Sequence, residues 1–339
     1  MNKDTVLLRA VEVAAIATYK YIGKKDKNEI DQAAVEAIEI MLKNEKGFKL
    51  RVVNGEGELD NAPMLFVGQI LGDTNNPDAP TFDASVDPVE GTYPSAYNFA
   101  GSVSAISISK QNTMLQIPEM YMEKFFVSDS FLNCIDLKLG ILENIKSMQT
   151  WANKKDLKGI ILDKPRHQKV IQDLIELGVI VRTIQDGDVL AAIDVVNGEA
   201  DFVYGIGGAP EGCLMASLAI SSGCKMQCRL VPYKDIWPNE AETSQRFQKE
   251  KAWVDKHKID FETILEDIDL VADNRTRFFA AGITAGGSLK PINYKDGKFF
   301  VSAFMSSHCI VRNVQSVYDV KKVNELKPEI KFLFDKYKR

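Results

Sequence analysis

Histidine is scarce in this chain: there are three in 339 residues, and one of them, His257, lies in a charged segment. Ser-His-Asp and Cys-His nucleophiles both need a histidine, so covalent triad chemistry is disfavoured. Cysteine is thin as well. Cys134, Cys213, Cys224, Cys228 and Cys309 are odd in number and mostly scattered, which fits reduced thiols better than a disulfide framework. Cys224 and Cys228 form the one close pair, but no second Cys or His pair stands at zinc-ligand spacing, so they read as packing residues. Positive charge is not in excess: 42 Lys and Arg against 47 Asp and Glu give a net charge of −5, unlike a nucleic-acid-binding face. No apolar run approaches the ~20 residues of a membrane span, and Asp4, Arg9 and Glu12 interrupt the N-terminal apolar segment where a secretory core would lie. A soluble, cytoplasmic protein is expected. A dinucleotide fingerprint is missing too, because Gly205 and Gly207 are followed by Pro210 where the third glycine belongs.

What is present is ample core material. With 45% hydrophobic residues the chain can bury one large domain or two subdomains. Val6, Leu7, Ala10, Ala14 and Ala17 recur at helical spacing after a cap at Asp4 or Thr5, with Gly23 as the stop. Ala33, Ala34, Ala37, Ile38, Met41 and Leu42 mark a second helix ending near Gly47. Asp31 sits in its first turn, where from a cap at Asn28 it reads as a complement to the helix dipole. Residues 50–53, 64–71, 102–109 and 125–127 read as strands, and Tyr121 between two methionines reads as a core residue. Strands are also expected at 273–284 and 299–312, with His308 and Cys309 in the core. The last twenty residues form a helical pattern read as solvated or subunit-contacting. Residues 234–262 carry no motif.

Acidic residues cluster at element ends. Gly55-Glu56-Gly57-Glu58-Leu59-Asp60 flanks Glu56 with glycines that leave the backbone free to bring the carboxylate to an ion. Asp87-Pro88-Val89-Glu90-Gly91-Thr92 follows the strand-like run 82–86, and its Pro and Gly suggest a tight exit loop. Two carboxylates this close repel one another unless a proton or cation separates them, and such oxygen donors suit Mg²⁺ or Mn²⁺. Alone, the hexapeptide reads equally well as a solvated turn.

From about residue 157 the pattern becomes strand, loop, helix, strand. Residues 159–163 lead into Lys164-Pro165-Arg166-His167, residues 179–184 into Asp186-Gly187-Asp188, and residues 201–204 into Gly205-Ile206-Gly207-Gly208-Ala209-Pro210-Glu211-Gly212. Ligands of parallel sheets sit beyond the carboxyl ends of strands, so these three loops should converge on one cleft. The glycine-rich segment is expected to be mobile backbone beside a helix N-terminus, with Glu211 at its mouth. Asp31, Glu56, Asp87, Glu90 and Glu211 opposite Lys164 and Arg166 suit a metal-bridged phosphoryl group with a second anchored anion, and hence phosphate ester hydrolysis.

The five motifs quoted in the last two paragraphs, in order between about residues 5 and 318, resemble the class II fructose-1,6-bisphosphatases. These are the GlpX-type enzymes of the inositol-monophosphatase-like superfamily. The resemblance implies an α/β fold, a layered α/β/α/β/α sandwich of two sheets. It implies a division into a subdomain of residues 1–152 with most metal ligands and one of 153–339 with the substrate contacts, late strands returning to either sheet. It also implies gluconeogenic hydrolysis of the 1-phosphate of fructose 1,6-bisphosphate, with sedoheptulose 1,7-bisphosphate a second substrate, and a homo-oligomer, dimer or tetramer. Asp31, Glu56, Asp87, Glu90 and Glu211 would then bind Mg²⁺ or Mn²⁺, and Thr92, Asp60 and Lys27 would position and deprotonate the water. Glu90, Gly91, Thr92, Tyr121, Lys164, Arg166, Asp186, Asp188, Gly207 and Gly208 would contact substrate. The chain departs from the family pattern at 93–99, which is more aromatic, and at 234–262. The rival expectations are a phosphatase of another small phosphoester, such as an inositol or nucleotide phosphate, and a non-catalytic phosphosugar sensor.

Overall fold

The computed structural model describes residues 2–43, 45–55, 64–240, 243–322 and 328–337. The chain opens with α1 (Lys3–Thr18), α2 (Lys27–Leu42), β1 (Lys49–Asn54), β2 (Ile70–Gly72), β3 (Thr81–Glu90), α3 (Thr92–Tyr97) and β4 (Val103–Lys110). It continues through β5 (Tyr121–Val127), α4 (Ile141–Ala152), β6 (Lys158–Leu162), α5 (Gln168–Glu176), β7 (Ile180–Ile184), α6 (Asp188–Val196), β8 (Phe202–Gly208), α7 (Glu211–Ser222) and β9 (Lys225–Val231). The last third holds α8 (Tyr233–Ile236), α9 (Thr243–His257), β10 (Leu265–Glu266), α10 (Asp267–Leu270), β11 (Arg277–Gly282), β12 (Asn293–Lys295), β13 (Lys298–Ser307), β14 (Ile310–Asp319) and α11 (Pro328–Tyr337).

Two mixed sheets result. One runs β12-β13-β11-β4-β3-β1-β2 with β14 on the far side of β13, and the other runs β10-β9-β5-β8-β6-β7. Chain order and sheet membership do not coincide, because β5 lies in the second sheet and β11 to β14 return to the first. The helices separate by composition. α7 is built of small and apolar residues and is buried on nearly every side, as is α6, so both lie between the sheets. α1, α2 and α11 cover the outer face of the first sheet, and amphipathic α4 and α5 cover that of the second. The order of layers is therefore α/β/α/β/α, as the resemblance implied.

Several local expectations change. The caps lie earlier than read: Asn2 accepts from Asp4 N, and Asp26 accepts from Asn28 N and Glu29 N, so Asn28 is inside α2. Only Ile70–Gly72 of the 64–71 run is a strand, because Leu65 and Gly68 take left-handed backbone and turn the chain. The 299–312 run is a hairpin. His308 and Cys309, both left-handed, form its two-residue turn and are exposed rather than core. Helix α11 is not simply solvated, since Leu333 and Phe334 bury against the α1 layer.

Candidate active site

The acidic hexapeptide is not an exit loop: β3 runs through it to Glu90. Its pairing with β4 slips between Asp87, opposite Ala105, and Glu90, opposite Val103. Two residues on β3, Pro88 and Val89, therefore face one on β4, Ser104, a one-residue bulge where a proline's missing N–H does no harm. The bulge has a direct chemical consequence. Residues three apart on a regular strand face opposite sides, whereas one extra residue turns Asp87 and Glu90 into the same cleft.

After Glu90 the chain is pinned. Gly91 has φ +79°, and a side chain there would meet Gly101 O at 2.4 Å; Gly187, φ +95°, would meet the same carbonyl at 2.2 Å. The two acidic turns thus pack against one backbone atom, which only glycine permits. Ser102 Oγ donates to Glu90 O (2.9 Å) and Ser95 Oγ to Gly91 O (3.0 Å). Thr92 Oγ1 spends its proton on Val89 O (3.0 Å), so toward the cleft it can only accept.

The cleft encloses about 720 Å³ and is lined by Lys27, Asp31, Asp87, Glu90, Gly91, Thr92, Asp186 and Glu211. Most of the expected cluster is therefore assembled from α2, β3, the β7–α6 turn and the start of α7. Glu56 and Asp60, expected as a metal ligand and a water-positioning residue, lie outside the described residues. Asn54 and Glu119 also line the cleft, and neither was singled out from sequence.

A second wall adjoins it, at the C-terminal ends of the parallel strands β6, β7 and β8. Here the glycine segment corrects the expectation of mobility, for Gly205 to Gly208 are strand residues paired with β5. Their smallness is a packing need: a Cβ on Gly208 would sit 2.3 Å from Glu211 Oε2, and one on Gly205 2.8 Å from Leu162. Arg166 is aimed by its Nε donating to Ile206 O (3.0 Å) and lies 5.4 Å over the Tyr121 ring. His167, buried, braces the same strand by accepting from Ile206 N at 2.9 Å. Tyr121 is thus a half-buried wall residue, not core.

Sequence reading also missed Lys124. It is 1% exposed, pairs with Asp188 Oδ2 at 2.5 Å and donates to Gly208 O at 2.7 Å. Its signal was a Lys directly before the apolar run 125–127 in a stretch where a strand was expected to be buried, because a buried lysine needs a partner.

Electrostatically the cleft is strained toward cations. Burial, then Asp188, Asp186, Asp87 and Glu211, push the Glu90 carboxyl well above the usual range. Burial raises Glu211 and Asp186 likewise. Asp188 goes the other way, because Lys124 outweighs its burial. Glu90 Oε2 and Glu211 Oε2 are buried with no hydrogen-bond partner. A proton or a hard cation is what such oxygens require, and the oxygen-only donor set suits a Mg²⁺-type ion. Among the described residues no three Asp, Glu, His or Cys side chains already hold metal-binding spacing.

A pH prediction follows from these directions. Each raised carboxyl keeps its proton to higher pH when folded than when unfolded, so stability present below 4.5 is lost as pH rises through the raised values. A divalent cation must displace those protons, so its stabilisation grows with pH. A fixed Mn²⁺ concentration, 100-fold over its Kd at pH 8 and so worth about 2.7 kcal/mol there by mass action, should raise Tm more at pH 8 than at pH 6, where the same concentration stands at a smaller multiple of a weaker Kd. Thermal unfolding with and without chelator measures this, and an equal shift at both pH values contradicts it.

No helix among the described residues is long and apolar enough to cross a membrane. Comparison with known proteins gives the family. A family model described as bacterial fructose-1,6-bisphosphatase, glpX-encoded, matches residues 2–318. The class 2 fructose-1,6-bisphosphatase of Haemophilus influenzae is 34% identical over 316 residues, covering 91% of this chain and 94% of that protein. Fructose-1,6-bisphosphatase 1 class 2 of Escherichia coli is 35% identical over 316 residues, 91% of this chain and 93% of its own. The same organism's fructose-1,6-bisphosphatase 2 class 2 is 34% identical over 284 residues, 83% and 87% of the two chains. This chain belongs to the glpX-encoded bacterial fructose-1,6-bisphosphatase family.

Proposed function

We propose that the protein hydrolyses the 1-phosphate of fructose 1,6-bisphosphate to give fructose 6-phosphate and phosphate, using Mg²⁺ or Mn²⁺. The observation that carries this reading is the pairing of two orphaned, buried carboxylate oxygens, on Glu90 and Glu211, with a neighbouring wall that holds Arg166 in place. Asp31, Asp87, Glu90 and Glu211, with Glu56, would hold the cation. When bound, that ion supplies Lewis-acid polarisation of the phosphoryl group and neutralises the leaving alkoxide.

The chain's own residues do the rest. Thr92 Oγ1, its proton committed to Val89 O, accepts from the attacking water and so fixes where the oxygen lone pair points. Lys27 lies at the same cleft. It is read with Asp60 as the route by which the water's proton leaves. Arg166, Lys164 and Tyr121 take the distal phosphate, while Asp186, Asp188 and the backbone of Gly207 and Gly208 orient the sugar. Elements of the first sheet would thus carry most metal ligands, and the second sheet the substrate contacts. Sedoheptulose 1,7-bisphosphate, with the same 1-phosphate and a distal one, is a second substrate of this reading, and a homo-oligomer its assembly.

Phosphate release from fructose 1,6-bisphosphate with Mn²⁺ or Mg²⁺ tests it, with an inositol monophosphate and a nucleotide monophosphate as controls. Arg166→Ala should raise KM about tenfold or more and leave kcat within a few-fold, because the distal phosphate is bound alike in ground and transition states. Absence of cation-dependent release from any sugar bisphosphate sinks the proposal.

A further inference from the structure

The segment after β9 carried no motif, yet it reaches the substrate wall through one residue. Trp237 closes α8, and its Nε1 donates to Tyr121 Oη at 2.8 Å. Its backbone is fixed from two sides: Trp237 N donates to Tyr233 O (2.9 Å), and Thr243 Oγ1 donates to Trp237 O (2.7 Å). Tyr233 is itself clamped, its N–H to both oxygens of Glu250 at 3.1 Å and its ring 4.4 Å under Arg246. The Tyr233 ring stands 6.1 Å from that of Tyr121, and Arg166 lies over the Tyr121 ring as described. Helix α9 therefore holds α8, and α8 holds Tyr121.

An indole N–H can only donate, and a phenol carries one proton. With Trp237 donating to its oxygen, Tyr121 has its own O–H left to give. The guanidinium over the ring draws electron density away and makes that proton a better donor. We propose that Trp237 is a positioning residue that commits Tyr121 to donating toward the substrate, so that this wall offers donors alone, Tyr121 with Arg166 and Lys164, and selects a phosphoryl oxygen over a hydroxyl that must itself donate. The inference rests on the bisphosphatase reading and deepens it, by assigning the polarity of the distal-phosphate subsite and a use for Tyr233, Trp237, Thr243 and Arg246.

A double-mutant cycle tests it. W237F removes the N–H and keeps an aromatic ring; Y121F removes the hydroxyl and keeps the wall. On fructose 1,6-bisphosphate, W237F should raise KM about fivefold, the worth of one hydrogen bond, with kcat within twofold. In the Y121F background the same change should do less than twofold, because its only handle is gone. An equal increase in both backgrounds, or no increase in either, overturns the proposal and leaves Trp237 a packing residue. The cycle is also run on dissociation constants for fructose 1,6-bisphosphate, measured calorimetrically on the chelated protein, where no turnover consumes the compound. A wild-type chain that binds the sugar bisphosphate without releasing phosphate removes the hydrolytic reading, while the calorimetric cycle still decides the role of Trp237.

Discussion

Glu90→Gln is expected to lower kcat by about a thousandfold or more and, at the same time, to raise the Tm of the chelated protein at pH 8. The first effect follows from the proposed role of Glu90 as a charged ligand in a site that would gather positive charge around a reacting phosphate. The second is the less usual, since most buried substitutions destabilise by about 0.5–3 kcal/mol. Here the side chain is 3% exposed, its Oε2 has no partner, and four other carboxylates face it. An amide of the same shape carries no charge into that field. The gain should grow from pH 6 to pH 8, because the charge that the native carboxyl carries into that field grows as pH rises, whereas the amide carries none at either pH. Steady-state phosphate release and thermal unfolding at the two pH values read the two effects separately. Turnover within tenfold of wild type would take Glu90 out of the metal site, and a lower Tm at pH 8 would mean that repulsion does not govern the apo cleft.

Much of this site was legible as composition at element ends, and the misreadings share a cause. Glu90, Glu211, Arg166 and Asp186 announce themselves as charges after apolar runs, and the three parallel strands bring their loops together. Sequence could not show that β3 continues through Pro88, because a bulge depends on the register of the partner strand and not on the hexapeptide. The Gly205 to Gly208 run looked mobile for a similar reason: what demands glycine there is Leu162 and the Glu211 carboxylate, contacts made only in the folded chain. Asp31 and Tyr121, whose local readings were a dipole complement and a core residue, face the site because of helix and strand placement. His308 and Cys309 misled in the opposite sense, as apolar neighbours concealed a turn. The layers were legible through the family resemblance alone; their physical basis is that an all-round apolar helix such as α7 has nowhere to go except between two sheets.

Lys124→Met should cost about 3–5 kcal/mol of folding stability, the usual penalty for leaving one half of a buried ion pair behind. Methionine replaces the lysine stem in volume, so packing loss is small and the remaining effect is charge. Asp188 loses a partner at 2.5 Å, Gly208 O loses its donor, and Glu90 and Glu211 lose a buried cation that attracts both. If charge is the cause, neutralising the stranded partner should help: Lys124→Met with Asp188→Asn should recover much of the loss, giving a coupling of the two changes well beyond additivity. Supplying positive charge from outside should help as well, so Mn²⁺ should raise the Tm of Lys124→Met by more than it raises that of the wild type. Urea unfolding of the four chelated variants and a Mn²⁺ thermal series measure both. A Lys124→Met protein as stable as wild type, or a double variant no better than the single, would show that the cleft's carboxylates tolerate one another without Lys124. In that case protons alone balance them, and the lysine is there to shape the β5–β8 wall through Gly208 O rather than to hold the charge of the site.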